Sequence, residues 1–154
     1  MEQTPDTIVI GLGNPLMSDD GIGICLARAL AAELVDRPGV ECVDAGTSGM
    51  RALHLMAGRA RAILIDCALM DETPGVIRRF TPEGAESRRV LSRLSLHEGN
   101  LLEILELSRA LGERPAEVVI FGIEPARLTP GAELSRALAS RLPTYLRAIL
   151  DEIG

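Results

Sequence analysis

The chain has 154 residues, 47% hydrophobic and 25% charged, which is typical of one globular domain with a buried core. Its net charge of −6 disfavours nucleic acid as a partner, and no apolar run approaches the roughly 20 residues that span a bilayer. The N-terminus lacks the features of a signal peptide, and the three cysteines form neither a C-x-x-C pair nor a disulfide framework. We therefore expect a single cytoplasmic domain over residues 1–154.

In chain order, the spacing of apolar residues predicts alternating strands and helices. The predicted elements are a strand at 7–11, a helix from 21 to about 34, a strand at 40–43, a helix capped by Ser48 and ending near 57, strands at 61–65 and 75–80, a helix at 100–111, a strand at 116–121 and an amphipathic helix at 132–153. Residues 81–95 are predicted to be irregular, and Pro143 is expected to bend or interrupt the last helix. This alternation predicts a mainly parallel sheet with helices on both faces.

Polar side chains follow the predicted strands where these end. They are Asp19, Asp20, Asp44, Asp66 and Glu124, and His97 follows the irregular segment. Because ligands of an open α/β sheet bind beyond the carboxyl ends of its strands, we expect these side chains near one edge of the sheet.

Asp20, Asp66 and His97 form a candidate metal site. Two carboxylates and one imidazole suit zinc, nickel or another first-row metal, and a triad leaves coordination positions open for an incoming ligand. Structural roles stay open for each residue: Asp20 as a helix cap, Asp66 as a turn residue, and His97 as a cap or packing residue. Asp19 is expected only to support or cap this region.

The turn after the first strand is Gly11-Leu12-Gly13-Asn14-Pro15-Leu16-Met17-Ser18-Asp19-Asp20-Gly21-Ile22-Gly23. Its first two glycines are typical of a dinucleotide-binding loop, but Leu16 occupies the position of the third glycine. Asp19 and Asp20 would also repel a pyrophosphate. The glycines instead predict a tight exit from the strand that presents Asp20 at the sheet edge.

The same turn resembles the N-terminal signature of the hydrogenase maturation proteases. The similarity continues, in the order and spacing of that family, through Asp44-Ala45-Gly46-Thr47-Ser48-Gly49, Ile65-Asp66, Leu96-His97-Glu98 and Gly122-Ile123-Glu124-Pro125. Each motif alone is modest, but five in order over nearly the whole chain are specific. We therefore expect a three-layer α/β/α sandwich of the phosphorylase/hydrolase-like type, with a mostly parallel, about five-stranded twisted sheet that contains one antiparallel strand.

The resemblance implies a cytoplasmic endopeptidase that removes the C-terminal extension of a nickel–iron hydrogenase large-subunit precursor after nickel insertion. By motif position, the metal-binding trio of that family falls on Asp20, Asp66 and His97, which would recognise nickel carried by the precursor. Another divalent cation, such as zinc or cadmium, can be expected to bind there in vitro. Positioning by nickel, a carboxylate general base and a metal-activated water all remain compatible with the sequence.

The glycine-rich loop of Gly46, Thr47, Ser48 and Gly49 offers backbone N–H groups and two hydroxyls. We expect it to hold the extension of the precursor near the trio. One alternative is a non-catalytic assembly factor that senses nickel with the same trio. A second is a peptidyl-tRNA hydrolase, which shares the Gly-Leu-Gly-Asn-Pro opening but needs a tyrosine and a His-Asn pair soon after it, whereas no histidine precedes His54 here.

Overall fold

The structure is a computed structural model that describes residues 4–87 and 101–154. In this part of the chain the strands are β1 (Thr7–Gly11), β2 (Val40–Asp44), β3 (Arg61–Cys67), β4 (Ile77–Phe80) and β5 (Glu117–Ile123). The helices are α1 (Ile22–Glu33), α2 (Gly49–Met56), α3 (Pro82–Ser87), α4 (Leu101–Ala110), α5 (Arg136–Ala139) and α6 (Leu142–Ile153). None of these helices combines the length and apolar character needed to cross a bilayer.

The five strands form one sheet in the order β2-β1-β3-β5-β4. β1 pairs in parallel with both of its neighbours, so Gly11 lies opposite Asp44 on one side and Ile65 on the other. β3 and β5 are also parallel, whereas β4 runs antiparallel to β5. The predicted mostly parallel sheet with one antiparallel strand is therefore confirmed, and the carboxyl ends of β2, β1, β3 and β5 meet at one edge.

Helices cover both faces of the sheet. Ile8 and Ile10 pack into an apolar layer that includes residues of α2 and α4. Val9, between them, packs into a second layer that includes residues of α1 and α6. The two layers separate in this way because successive side chains of a strand point to opposite faces. The result is the predicted three-layer α/β/α sandwich, with an almost entirely aliphatic core.

Three predictions in the middle of the chain are wrong: the irregular segment from residue 81, the end of β3 and the end of β5. Residues 82–87 form the helix α3 instead of irregular chain. Pro82 occupies the first helical position, where a backbone N–H would have no partner within the helix, so the missing N–H of proline costs nothing there. β3 and β5 each extend past their predicted ends and pair along their full length. Asp66 therefore lies inside a strand and not after it. The rest of the segment predicted as irregular, residues 88–95, lies outside the described residues.

The C-terminal helix is shorter than predicted. Residues 132–135 are not helical, and α5 and α6 replace a single helix over 132–153. Ser135 is held instead by a hydrogen bond from its N–H to the Asp19 carboxylate, 2.7 Å long. The helical run is interrupted at residues 140–141, directly before Pro143, as predicted, and Pro143 lies in the first turn of the new helix α6.

The two edge strands of the sheet carry different side chains. β4 has four residues, of which two are exposed arginines. Arg78 pairs with Glu72 at 3.0 Å, and Arg79 pairs with Glu152 at 2.9 Å. β2, at the opposite edge, is half-buried along its whole length. Charged groups therefore protect the β4 edge, while the β2 edge lies beside α1.

Gly23 sets how closely α1 approaches the sheet. A Cβ atom at this position would overlap the backbone carbonyl oxygens of Ile65 and Leu12. Because both obstacles are backbone atoms of the sheet and its exit turn, they cannot rotate away as a side chain can. The absence of a side chain at Gly23 therefore keeps the start of α1 directly over the carboxyl ends of β1 and β3.

Gly23→Ala is expected to lower the free energy of unfolding by about 3 kcal/mol, because the added methyl group pushes α1 away from the strands. Gly39→Ala is the matched control, since no atom lies within 4 Å of a Cβ built there. Urea denaturation of the two variants measures the difference. Equal unfolding midpoints would show that α1 does not need this close contact.

Candidate functional site

The turn between β1 and α1 buries two consecutive carboxylates. Asp19 and Asp20 lie in a 3₁₀ turn, Ser18–Gly21, and their exposed fractions are 0% and 4%. Gly13 makes this turn possible because its φ is +140° and a Cβ atom there would overlap the carbonyl oxygen of Asp20. The Oδ2 atom of Asp20 accepts the N–H of Asn14 at 3.0 Å. The backbone thus fixes the Asp20 carboxylate above the end of β1, as the sequence predicts.

Asp66 lies within β3 and is fully buried. Its Oδ1 atom accepts the N–H of Cys67 at 2.8 Å, and no donor from the described residues reaches its Oδ2 atom. Burial and, second, the neighbouring charge of Asp20 raise the pKa of Asp66 well above its usual value, against the smaller effect of the Cys67 N–H. The charge of Asp20 is therefore close enough to act on the buried Asp66 carboxyl group.

Asp20 and Asp66 could hold a divalent cation. A cation offsets the repulsion between two carboxylates and supplies a partner for the buried Oδ2 atom of Asp66. The third predicted ligand, His97, lies outside the described residues. Within residues 4–87 and 101–154 there is no group of three or more histidine, cysteine, aspartate or glutamate side chains that could hold a metal. The structure thus brings together two members of the predicted trio.

Asp19 has a structural task that the sequence did not reveal. Its Oδ2 atom accepts the N–H groups of Ala126 and Arg127, both at 2.9 Å, and its Oδ1 atom accepts that of Ser135. Burial would raise the pKa of Asp19, but these hydrogen bonds outweigh it and lower the pKa below its ordinary value. Asp19 therefore remains ionised and attaches the turn of Asp20 to the loop between β5 and α5.

The loop after β2 is joined to the same turn. The Gly46 carbonyl accepts the N–H of Gly13 at 2.9 Å, while the Gly46 N–H donates to Oδ1 of Asp44 at 3.0 Å. Thr47 is exposed, and the Oγ atom of Ser48 accepts the N–H of Arg51 at 3.1 Å, which confirms the predicted helix cap. The four predicted substrate-binding residues, Gly46 to Gly49, are thus held beside the turn that carries Asp20.

Glu124, at the end of β5, shapes the chain that follows β3. Its Oε1 atom accepts the N–H groups of Met70 and Glu72, each at 2.8 Å, and its side chain is buried. Both contacts are to backbone, so Glu124 serves the fold in the same manner as Asp19. Of the polar residues predicted at the strand ends and described here, only Asp20 and Asp66 present buried carboxylates to each other.

Comparison with known proteins identifies similar chains. A family model described as hydrogenase maturation protease matches residues 24–152. The hydrogenase 2 maturation protease of Escherichia coli (strain K12) is 28% identical over 144 residues, which cover 93% of this chain and 87% of that protein. The hydrogenase expression/formation protein HupD of Thiocapsa roseopersicina is 25% identical, covering 100% of this chain and 70% of that protein. The solved structure of the E. coli hydrogenase maturating endopeptidase HybD matches with a TM-score of 0.82 at 27% identity, covering 96% and 91% of the two chains.

Asp19→Asn is expected to lower the free energy of unfolding by about 3 kcal/mol, because an amide group cannot accept all three backbone N–H groups and its NH₂ would face one of them. Asp151→Asn, on the exposed surface of α6, removes the same charge and is the control. Urea denaturation at neutral pH compares the two variants. Equal midpoints would mean that Asp19 does not hold the loop between β5 and α5.

Proposed function

The chain belongs to the hydrogenase maturation protease family and is a peptidase, and from this premise we propose that it removes the C-terminal extension of a nickel–iron hydrogenase large-subunit precursor after nickel insertion. The observation that carries the proposal is the buried Oδ2 atom of Asp66, which has no donor among the described residues and lies beside the Asp20 carboxylate. In this proposal the cation that completes the site is the nickel of the precursor.

Asp20 and Asp66 would bind the nickel while it stays attached to the precursor. Carboxylate oxygens are suitable ligands for a divalent first-row metal, and His97 supplies the third ligand by its motif position. Because the metal arrives with the substrate, the same three side chains distinguish a loaded precursor from an empty one. Zinc or cadmium in solution would compete for the same oxygens.

Nickel binding also explains how the scissile bond would reach the site. Once the substrate metal is shared between the two proteins, the peptide near it is held at a fixed distance from Asp20 and Asp66. Such positioning alone can supply much of a hydrolytic rate enhancement. A carboxylate of the pair would take a proton from the attacking water, and the leaving amine would take up a proton as the peptide bond breaks.

The loop from Gly46 to Gly49 would hold the extension during cleavage. The hydrogen bond between Gly46 and Gly13 attaches this loop to the turn of Asp20, so a segment bound at the loop lies beside the proposed nickel position. We place the reaction in the cytoplasm, where the precursor is made, with the precursor as the partner and neither nucleic acid nor a membrane involved.

The proposal predicts that purified protein shortens only a nickel-loaded precursor. The loaded and the nickel-free precursor are incubated with it separately, and the mass of the large subunit is measured. Loss of a C-terminal peptide from the loaded form alone is expected, because only that form presents the cation to Asp20 and Asp66. A stable complex without any change of mass would contradict cleavage and favour the assembly-factor alternative.

Asp20→Asn, Asp66→Asn and His97→Ala are each expected to reduce nickel-dependent cleavage by at least about 100-fold, because each removes a ligand or a proton acceptor. His54→Ala is the control, since His54 is exposed on α2 and is the only other histidine of the chain. Initial rates of precursor shortening measure the effect. Unchanged rates in all three variants would contradict the site assignment.

A further inference from the structure

A groove of about 420 Å³ runs between α1 and the edge strand β2. Its lining residues come from α1, β2 and α2 and are Ala27, Arg28, Ala31, Cys42, Val43, Asp44 and Arg51. We call it the β2 groove. The predicted nickel ligands do not line it. No motif marks the groove, because its α1 wall is part of an ordinary alanine-rich helix.

The β2 backbone beside this groove has hydrogen-bonding groups that the sheet does not use. Thr7 N–H donates to the Gly39 carbonyl, and Ala45 N–H donates to the Gly11 carbonyl, so the odd-numbered residues of β2 face β1. Because these groups alternate in direction along a strand, the N–H and C=O of Cys42 and the N–H of Asp44 point away from β1. In the described part of the chain, β1 is the only strand that pairs with β2.

A chain of three hydrogen bonds links the β2 groove to the candidate active site. Asp44 accepts the N–H of Gly46, the Gly46 carbonyl accepts the N–H of Gly13, and the next residue, Asn14, donates its N–H to Oδ2 of Asp20. These three contacts measure 3.0, 2.9 and 3.0 Å. A chain lying along β2 would therefore be guided at its end to the turn that carries Asp20.

The charges of the groove favour an acidic occupant. Arg28 pairs with Asp44 at 2.9 Å, so these two charges largely neutralise each other. Arg51 is exposed and has no ion pair with any described residue. The β2 groove therefore keeps one guanidinium that no described residue compensates, on a chain whose net charge is −6. A carboxylate is the side-chain group that pairs with a guanidinium in bidentate geometry.

We propose that the β2 edge and the β2 groove bind an extended segment of the hydrogenase large-subunit precursor, next to its scissile bond, as an added strand with an acidic side chain at Arg51. This inference rests on the proposed function. Main-chain hydrogen bonds to Cys42 and Asp44 give affinity for an extended segment of any sequence. The groove and Arg51 give preference for a segment whose side chains fit the groove and include an acidic one. The five residues of β2 span roughly 16 Å, enough to hold a short segment straight.

Two matched pairs of variants test the proposal in steady-state cleavage of the nickel-loaded precursor. Ala31→Trp fills the groove, whereas Ala32→Trp places the same side chain on the next exposed position of α1, outside the lining. Arg51→Glu reverses the free charge, whereas Arg37→Glu makes the same change after the end of α1, also outside the lining. Thermal unfolding confirms that all four variants are folded.

Ala31→Trp and Arg51→Glu are each expected to raise KM about tenfold with kcat within about twofold of the wild type, the signature of lost substrate binding. Both control variants are expected to keep the wild-type KM. If either groove variant behaves like its control while the wild type cleaves, the inference is overturned and the proposed function stands. If the wild type itself does not cleave the loaded precursor, the proposed function fails and the inference falls with it.

Discussion

Two carboxylates held together out of water are the constraint on which the rest of the carboxyl edge depends. Asp66 is fully buried inside β3, and the charge of Asp20 lies beside it. Neither burial nor mutual repulsion favours such a pair, so its position has to be imposed by the surrounding backbone. Gly13, which lets the turn fold back, and Gly23, which lets α1 start against the sheet, both serve that end.

Neighbouring aspartates in the same turn perform opposite tasks because their surroundings differ. Asp19 accepts three backbone N–H groups and keeps its charge, which makes it a structural residue. Asp20 accepts the N–H of Asn14 and faces Asp66. An ionised side chain surrounded by backbone donors stabilises the fold, whereas the position of Asp20 beside a second carboxylate suits it to share a ligand with Asp66. Residue type alone does not separate these roles.

Local interactions made much of the fold predictable from the sequence. The apolar runs of β1 and β3, the spacing in α1 and the Ser48 cap of α2 are all set by residues within a few positions of each other. The task of Asp19 was not predictable, because its partners lie 107 to 116 residues away along the chain. The same long-range contact at Ser135 explains why a helix predicted from residue 132 begins later. Motif order placed Asp20 and Asp66 at one edge, but only the packing of β3 made Asp66 fully buried.

The asymmetry of the two sheet edges bears on how copies of the protein could pair with one another. Growth of a fibre by edge pairing requires each copy to offer two open edge strands, because each copy must pair with one neighbour on either side. The short β4 edge, with Arg78 and Arg79 held in ion pairs, is poorly suited to pair with another copy. A chain with one available edge can at most form a closed pair. Within residues 4–87 and 101–154, β2 is therefore the one edge suited to pairing, and a single such edge does not support the polymerisation that two open edges would allow.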